Sequence, residues 1–161
     1  MILKTIQRVA PFIEELVQRE LPGQQNQTLF EWREKHSHDL FDINYLSDGT
    51  IRFICLATLL LQPKPPDFIL IDEPELGLHP SAIHLLAAML KQASKQTQVL
   101  VATQSPTLVS QVDLEDIVVL EHHEGQSTLK RLDAKELEKW LQDYTLGELW
   151  EKNVLGGKPS P

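Results

Sequence analysis

The sequence predicts an α/β protein in which a mostly parallel sheet is flanked by helices. Three short apolar runs, "DFILIDE", "TQVLVAT" and "EDIVVLE", predict strands that are covered on both faces. Two segments of helical periodicity, "SDGTIRFICLATLLL" and "PSAIHLLAAMLKQASK", lie before and after the first run. The first of these helices is apolar almost all the way round, so we expect it to be deeply packed. Strands that alternate with helices favour parallel pairing.

The N-terminal part of the chain predicts a helix, a loop and a strand. Apolar residues recur near helical spacing in "MILKTIQRVAPFIEELVQRE", with a kink or restart at Pro11 because proline is best tolerated in a first turn. "LPGQQNQ" predicts a loop from its Pro-Gly pair and its amides. "TLFEWRE" alternates in side-chain character, which predicts a half-buried strand.

The C-terminal part predicts a hairpin and two short helices. "HHEG" is typical of a turn, after which "QSTLKRL" should return antiparallel. Asp133 and Thr145 are each followed three residues later by a glutamate, which is capping-box spacing. We expect helices to begin at both positions and "GGKPSP" to be a frayed tail.

Length and composition indicate one soluble domain. The 161 residues, 42% hydrophobic and 24% charged, are enough for a substantial core. We divide this single domain, 1–161, into an N-terminal helix and strand (1–45), a central core (46–121), and a hairpin with C-terminal helices (122–161). The net charge of −8 does not favour broad contact with nucleic acid or an anionic membrane.

The cellular compartment is predicted from what the sequence lacks. The single cysteine, Cys55, lies in an apolar run, which favours a buried thiol in a reducing environment. No secretory segment opens the chain and no apolar run has the length of a membrane span. We therefore expect a cytoplasmic protein without a membrane segment.

Two adjacent carboxylates, Asp72 and Glu73, end the run "FILIDE". Ligands bind at the carboxyl ends of strands in open α/β sheets, and successive strand side chains point to opposite sides. One carboxylate could hold Mg²⁺ while the other orients and deprotonates a water. Pro74 should force Glu73 out of the helical region and end the strand. The alternative is a strand exit with two solvated acids.

Two further segments carry polar groups suited to phosphate. "LSDGT" could present a helix N-terminus and a hydroxyl to an anion, or Ser47 or Asp48 could simply cap the helix. "VATQSP" places Thr103, Gln104 and Ser105 after the second strand, where Ser105 could instead cap a short helix. Each segment is ambiguous alone, whereas their order and spacing together are specific.

Four motifs, taken in their order along the chain, resemble those of ABC-type ATPases of the RecF and SMC kind. "YLSDGT" resembles their signature motif, "FILIDE" the Walker B strand, "PELGLHP" the D-loop and "VLVATQSP" the switch-loop strand. The resemblance extends over essentially the whole chain, including the ending "LGELWEKNVLGG". It implies a P-loop NTPase fold that uses ATP and Mg²⁺.

The resemblance also implies roles for single residues. Asp72 would ligate Mg²⁺, and Glu73 would be the general base for the attacking water. Gln104 stands where most of these ATPases have a histidine that contacts the γ-phosphate, and an amide can donate that hydrogen bond without carrying a proton. The residues that would meet an ATP held by the opposite subunit, or lie at the dimer seam, are Ser47, Asp48, Gly49, Thr50, Leu76, Gly77 and Leu78.

The sequence departs from the family in lacking the phosphate-binding loop, G-x-x-x-x-G-K-S/T. None of its glycines fits that pattern; they are Gly23, Gly49, Gly77, Gly125, Gly147, Gly156 and Gly157. The resemblance therefore implies a partial fold without the P-loop strand, which would lie between "TQVLVAT" and "EDIVVLE". Unpaired strand edges are costly. We expect these two strands to pair directly or another chain to fill the gap.

The leading hypothesis is the C-terminal catalytic lobe of a RecF-like ABC-type ATPase that cannot hydrolyse ATP alone. A non-catalytic subunit that binds a complete ATPase partner is the alternative, and an unrelated α/β domain that binds another phosphate ligand is a third. We expect a homo-oligomer or a partner chain carrying the Walker A motif. Nucleic acid remains a conceivable ligand of the full assembly, although the charge does not support it.

Overall fold

The computed structural model describes residues 1–20, 28–123 and 125–157, without the side chain of His123. The predicted loop 21–27 and the end of the tail, 158–161, lie outside the described residues. The chain divides into two compact units, Met1–Leu100 and Val101–Pro161, with the boundary inside a strand.

The first unit begins with helix α1 (Ile2–Val9) and a sheet of three strands in the order β1 (Ile13–Glu20), β2 (Thr28–Glu34) and β3 (Leu40–Asp42). Both strand pairs are antiparallel. A 3-10 turn, Ile43–Tyr45, leads from β3 toward the next helix. The strand predicted from "TLFEWRE" is confirmed as β2.

The prediction of a helix beyond Pro11 is wrong, because residues 13–20 form strand β1. Helix α1 ends at Val9, and Ala10 has φ −121° and ψ 74°, since the residue before a proline avoids the helical region. Leu16 then pairs with Trp32 across the sheet. Cross-strand pairing with β2 outweighs the helical spacing of the apolar residues in this segment.

Helices α2 (Asp48–Leu61) and α3 (Pro80–Ala93) supply most of the first unit's core. The predicted helix at α2 is confirmed, but it is not packed on all sides. Its buried residues lie on one face, and they are Phe53, Leu56, Ala57, Leu60 and Leu61. Cys55 projects from the opposite face and is exposed, so the prediction of a buried thiol is wrong.

Strands β4 (Phe68–Asp72) and β5 (Gln98–Ala102) form a two-stranded sheet. The Gln98 N–H donates to the Asp67 carbonyl at 3.1 Å, so the two strands begin at the same end, as in a parallel pair. The prediction that both faces of β4 are covered is wrong for this chain. Ile69 is 3% exposed, whereas Leu70 on the other face is 64% exposed.

The second unit contains the predicted antiparallel hairpin, β6 (Val118–His123) and β7 (Gln126–Arg131). Short helices precede and follow the hairpin along the chain. They are α4 (Pro106–Val109), α5 (Ala134–Leu137) and α6 (Leu146–Glu151), with 3-10 turns at Leu114–Asp116 and Trp140–Gln142. The buried cluster of this unit is Val119, Leu137, Leu149 and Leu155.

Three further expectations are decided by this unit. Among the described strands, β6 pairs with β7 and not with β5, so direct pairing of the second and third apolar runs is wrong. The capping box of Thr145 and Glu148 is confirmed. Asp133 does cap α5, but its carboxylate accepts from the Lys135 N–H and the described contacts include no box with Glu136.

None of the helices in the described part of the chain has the length and apolar character that crossing a membrane requires.

Candidate functional site

The N-terminus of α2 is capped by Ser47. Its Oγ accepts a hydrogen bond from the Thr50 N–H at 3.2 Å and lies 2.9 Å from the Thr50 Oγ1. Ser47 and Asp48 are both exposed. Capping is therefore present, and the two exposed polar side chains at this helix end are also accessible to a ligand.

A glycine-to-glycine contact holds the start of α2 against the loop that follows β4. A Cβ atom at Gly49 would lie 2.3 Å from the carbonyl oxygen of Gly77, far inside van der Waals contact. Gly77 itself has φ +78°, a conformation that side chains rarely adopt. Both positions therefore require glycine. We call residues 73–79 the acidic loop, after Glu73 and Glu75.

Asp72 and Glu73 lie where β4 ends and the acidic loop begins. Asp72 is exposed, and Glu73 has φ +44°, so it lies outside the right-handed helical region as expected before Pro74. Arg52, on α2, donates from Nη1 to the Glu73 carbonyl at 3.2 Å. The Leu76 N–H donates to the same carbonyl at 3.2 Å. The backbone that carries Glu73 is thus held by the helix that begins at Ser47.

The exposed carboxylate of Asp72 suits Mg²⁺. Among the described residues, it makes no hydrogen bond or ion pair, and no group of three or more metal-ligating side chains surrounds it. Mg²⁺ is commonly held by one or two carboxylates, with waters and substrate phosphates completing the octahedron. Asp72 therefore fits as a single protein ligand, directly or through water.

Gln104 lies in the second unit, immediately after β5, and its side chain is exposed. The Ser105 N–H donates to the Thr103 Oγ1 at 3.0 Å, and the Ser105 Oγ accepts from the Leu108 N–H at 3.3 Å. The expectation that Ser105 caps a short helix, α4, is confirmed. Gln104 is consequently the exposed residue of a tightly turned segment, 103–110.

Three supporting residues, one in the first unit and two in the second, were missed by sequence reasoning. In the first unit, Arg52 bonds the Glu73 carbonyl. In the second unit, the Trp150 Nε1–H donates to the Gln104 carbonyl at 3.1 Å, and the Gly147 N–H donates to the Ser110 Oγ at 3.1 Å. The ending "LGELW" was a sequence signal for the last two, although nothing in its spacing indicated which segment it contacts.

Leu76, in the acidic loop, is 62% exposed. Within the first unit, then, the structure brings together the start of α2 with Asp72, Glu73 and Gly77. Gln104 belongs to the second unit.

Comparison with known proteins identifies the family. Residues 6–110 match the model of the family described as "AAA domain, putative AbiEii toxin, Type IV TA system". A protein of Methanosarcina acetivorans named "Putative ABC transporter ATP-binding protein" is 35% identical over 79 residues. That match covers 48% of this chain, and the chain spans only 28% of that relative's length.

Solved structures of SMC head domains share the fold. An Smc head bound to the C-winged helix domain of ScpA aligns with a TM-score of 0.66 at 21% identity, over 86% of this chain and 43% of that one. An SMC ATPase chain studied for ATP-driven dimerization and DNA-stimulated activation aligns with a TM-score of 0.59 at 21% identity, over 87% and 91%. An Smc head from Pyrococcus yayanosii gives 0.60 at 21%, over 88% and 28%.

Because the family model matches well over half of the residues, the chain belongs to this family of AAA-type ATPase domains.

Proposed function

We propose that this chain is the C-terminal catalytic lobe of an ABC-type ATPase head and does not hydrolyse ATP without a separate phosphate-binding lobe. In this proposal Asp72 holds Mg²⁺, Glu73 deprotonates the attacking water, and Gln104 donates a hydrogen bond to the γ-phosphate. The segment 47–50 faces an ATP bound by an opposite subunit, and Leu76 and Gly77 lie at that seam.

The observation that carries the proposal is the contact of the Glu73 and Gly77 backbone with helix α2. Arg52 bonds the Glu73 carbonyl, and Gly49 packs against the Gly77 backbone. A general base has to be held in place to act on a water. The positive φ of Glu73 indicates a backbone that its surroundings hold in an uncommon conformation, a feature that clusters at functional sites.

The metal would supply charge neutralisation on the phosphates. Asp72 is the residue that would bind it, and Glu73, the next residue, would take the proton of the attacking water. The chain's own contribution is therefore a ligand, a base and a helix end. The backbone N–H groups and lysine of a P-loop have to come from elsewhere.

The exposed face of the β4–β5 sheet supports the need for a further lobe. Phe68, Leu70 and Leu100 are 48%, 64% and 53% exposed. Apolar patches of this kind on a sheet mark surfaces that another segment covers. We propose that the occupant is the lobe that carries the Walker A motif, whether from the same polypeptide or from a second chain.

The first experiment measures the chain alone. Calorimetry with ATP and Mg²⁺ is expected to show no binding at millimolar ATP, and phosphate release should not exceed that of buffer. Tight ATP binding by a monomer, judged by light scattering, would overturn the two-lobe proposal. If the chain alone hydrolyses ATP and Glu73→Gln abolishes that turnover, the catalytic role of Glu73 is retained. The claim that a single lobe cannot hydrolyse ATP is then rejected.

The second experiment measures ATP turnover in the assembly with the Walker A lobe. Glu73→Gln is expected to lower kcat by at least about 100-fold, at the low end of what a general base contributes, while MgATP still binds. Asp72→Asn should weaken Mg²⁺ binding, so that half-maximal turnover requires a higher Mg²⁺ concentration. Asp67→Asn, at the other end of β4, is the matched control and should change neither. Unchanged kcat in Glu73→Gln would reject its role.

A second candidate is a non-catalytic subunit that contributes only the start of α2 to a complete ATPase partner. The exposure of Ser47 and Asp48 favours it, because these side chains are accessible without any lobe on β4. One comparison of variants separates the two candidates. If the chain is a non-catalytic subunit, Ser47→Ala would lower the partner's turnover, whereas Glu73→Gln and Asp72→Asn would have no effect.

A further inference from the structure

The C-terminal helix α6 holds the segment that carries Gln104. The Trp150 Nε1–H donates to the Gln104 carbonyl across 46 residues of sequence, at 3.1 Å. The Gly147 N–H donates to the Ser110 Oγ at 3.1 Å. These two hydrogen bonds attach α6 to both ends of the segment 103–110.

Close packing accompanies the hydrogen bonds. A Cβ atom at Gly147 would lie 2.2 Å from the Pro106 carbonyl oxygen and 2.2 Å from the Ser110 Oγ. Gly147 is buried, and so is Leu108 on the neighbouring turn, at 2% exposure. Only glycine permits α6 to approach α4 this closely. The contact is therefore a fitted interface between the two helices.

The start of α6 is itself fixed. Glu148 Oε2 accepts from the Thr145 N–H at 2.7 Å and from the Thr145 Oγ1 at 2.9 Å, while the Glu148 N–H donates back to Thr145 Oγ1 at 3.3 Å. A short helix needs such a cap, because isolated helices of this length are not stable in water. The capping box thus holds Gly147 and Trp150 in place for their contacts.

Gln104 has its backbone held and its side chain exposed. An indole N–H that bonds the carbonyl of a residue limits rotation of the peptide plane next to it. The side chain of that residue then leaves the backbone in a fixed direction. This arrangement suits a side chain that must meet a ligand in one orientation.

We propose that Trp150 and Gly147 are positioning residues that orient Gln104 toward the γ-phosphate. The inference rests on the proposed function for the role of Gln104, whereas the hold on segment 103–110 does not depend on it. The two parts are therefore tested by separate measurements.

The hold is tested by hydrogen exchange of the whole chain without nucleotide. Trp150→Phe keeps the aromatic body and removes the donor, so exchange in 103–110 should rise about fivefold, with other peptides unchanged. Ser110→Ala removes the acceptor of the Gly147 N–H and should act similarly. Trp140→Phe is the matched control, because Trp140 is 44% exposed and contacts Tyr144. Unchanged exchange, or an equal rise throughout the chain, would overturn the proposal.

The orientation of Gln104 is tested in the assembly that hydrolyses ATP. Trp150→Phe should lower kcat several-fold with little change in the KM for ATP, and adding it to Gln104→Ala should cause no further loss. Fully additive losses would overturn the positioning role. If Glu73→Gln leaves the turnover of the assembly unchanged, the proposed function fails. The exchange measurement still decides whether α6 holds the segment.

Discussion

The acidic loop of the first unit and the segment 103–110 of the second are each held by a helix through the same two kinds of contact. A side chain on the helix donates to a backbone carbonyl, Arg52 to Glu73 in the first unit and Trp150 to Gln104 in the second. A glycine of the helix also packs closely against the segment, Gly49 in the first unit and Gly147 in the second. The two regions differ in the sequence separation of the hydrogen-bonded residues, which is 21 in the first unit and 46 in the second, and in burial, since Gly147 is buried and Gly49 is half-buried.

The largest expected effect comes from adding one methyl group to each glycine contact. Gly147→Ala should destabilise the second unit by roughly 2–3 kcal/mol, because its Cβ would meet Pro106 and Ser110 in a buried interface. Gly49→Ala should cost the first unit roughly 1–2 kcal/mol, because its Cβ would meet a single group, the backbone carbonyl of Gly77, at the surface. Denaturant unfolding, followed by hydrogen exchange in each unit, measures both.

Thr58→Ala is the control for these glycine substitutions. Thr58 is exposed, and its Oγ1 bonds the Ile54 carbonyl of its own helix, so its loss should change stability by no more than about 0.5 kcal/mol. An equal cost for the two alanines, or a larger cost at Gly49, would mean that the acidic loop is as rigid as the α4–α6 contact.

The difference between the two regions also explains what the sequence could predict. The motifs around Gly49 and Gly77 are local, so their order indicated an ATPase-type domain and two carboxylates at the end of β4. Capping is local as well, and Ser47, Ser105 and Thr145 all cap their helices. The contact of Trp150 with Gln104 joins residues 46 apart, and no periodicity encodes such a distance.

The errors have the same origin. Residues 13–20 carry helical spacing, but β2 offers a pairing partner that spacing does not reveal. The burial of Cys55 was inferred from an apolar run, whereas burial on α2 depends on which face meets α3 and α1. Exposure of Leu70 likewise depends on what packs against that face of the sheet. Long-range packing decided each of these outcomes.

A smaller effect is expected when the polar link in the first unit is removed. Arg52→Gln deletes the donor to the Glu73 carbonyl, but the Leu76 N–H still bonds that oxygen. Because Arg52 is exposed, stability should fall by no more than about 1 kcal/mol. Exchange of the amides in 75–78 should rise about twofold to fivefold. Lys64→Gln removes the same charge from another exposed position and should leave the exchange of those amides unchanged. An equal rise in exchange in Lys64→Gln would show that the effect comes from net charge and not from the lost hydrogen bond.

The smallest effect is a pH dependence of the α6 cap. The Thr145 backbone N–H, followed by the Thr145 hydroxyl, lowers the pKa of Glu148 below its ordinary value of 4.5. A carboxylate with a lowered folded pKa stabilises the fold above its unfolded pKa, and that contribution is lost as the pH falls from 4.5 through the folded value. Glu148→Gln should therefore lower the urea midpoint more at pH 7 than at pH 3. Glu138→Gln should change neither midpoint. A Glu148→Gln effect of equal size at both pH values would show that the cap does not depend on the charge, and α6 would then hold Gln104 equally well in acid.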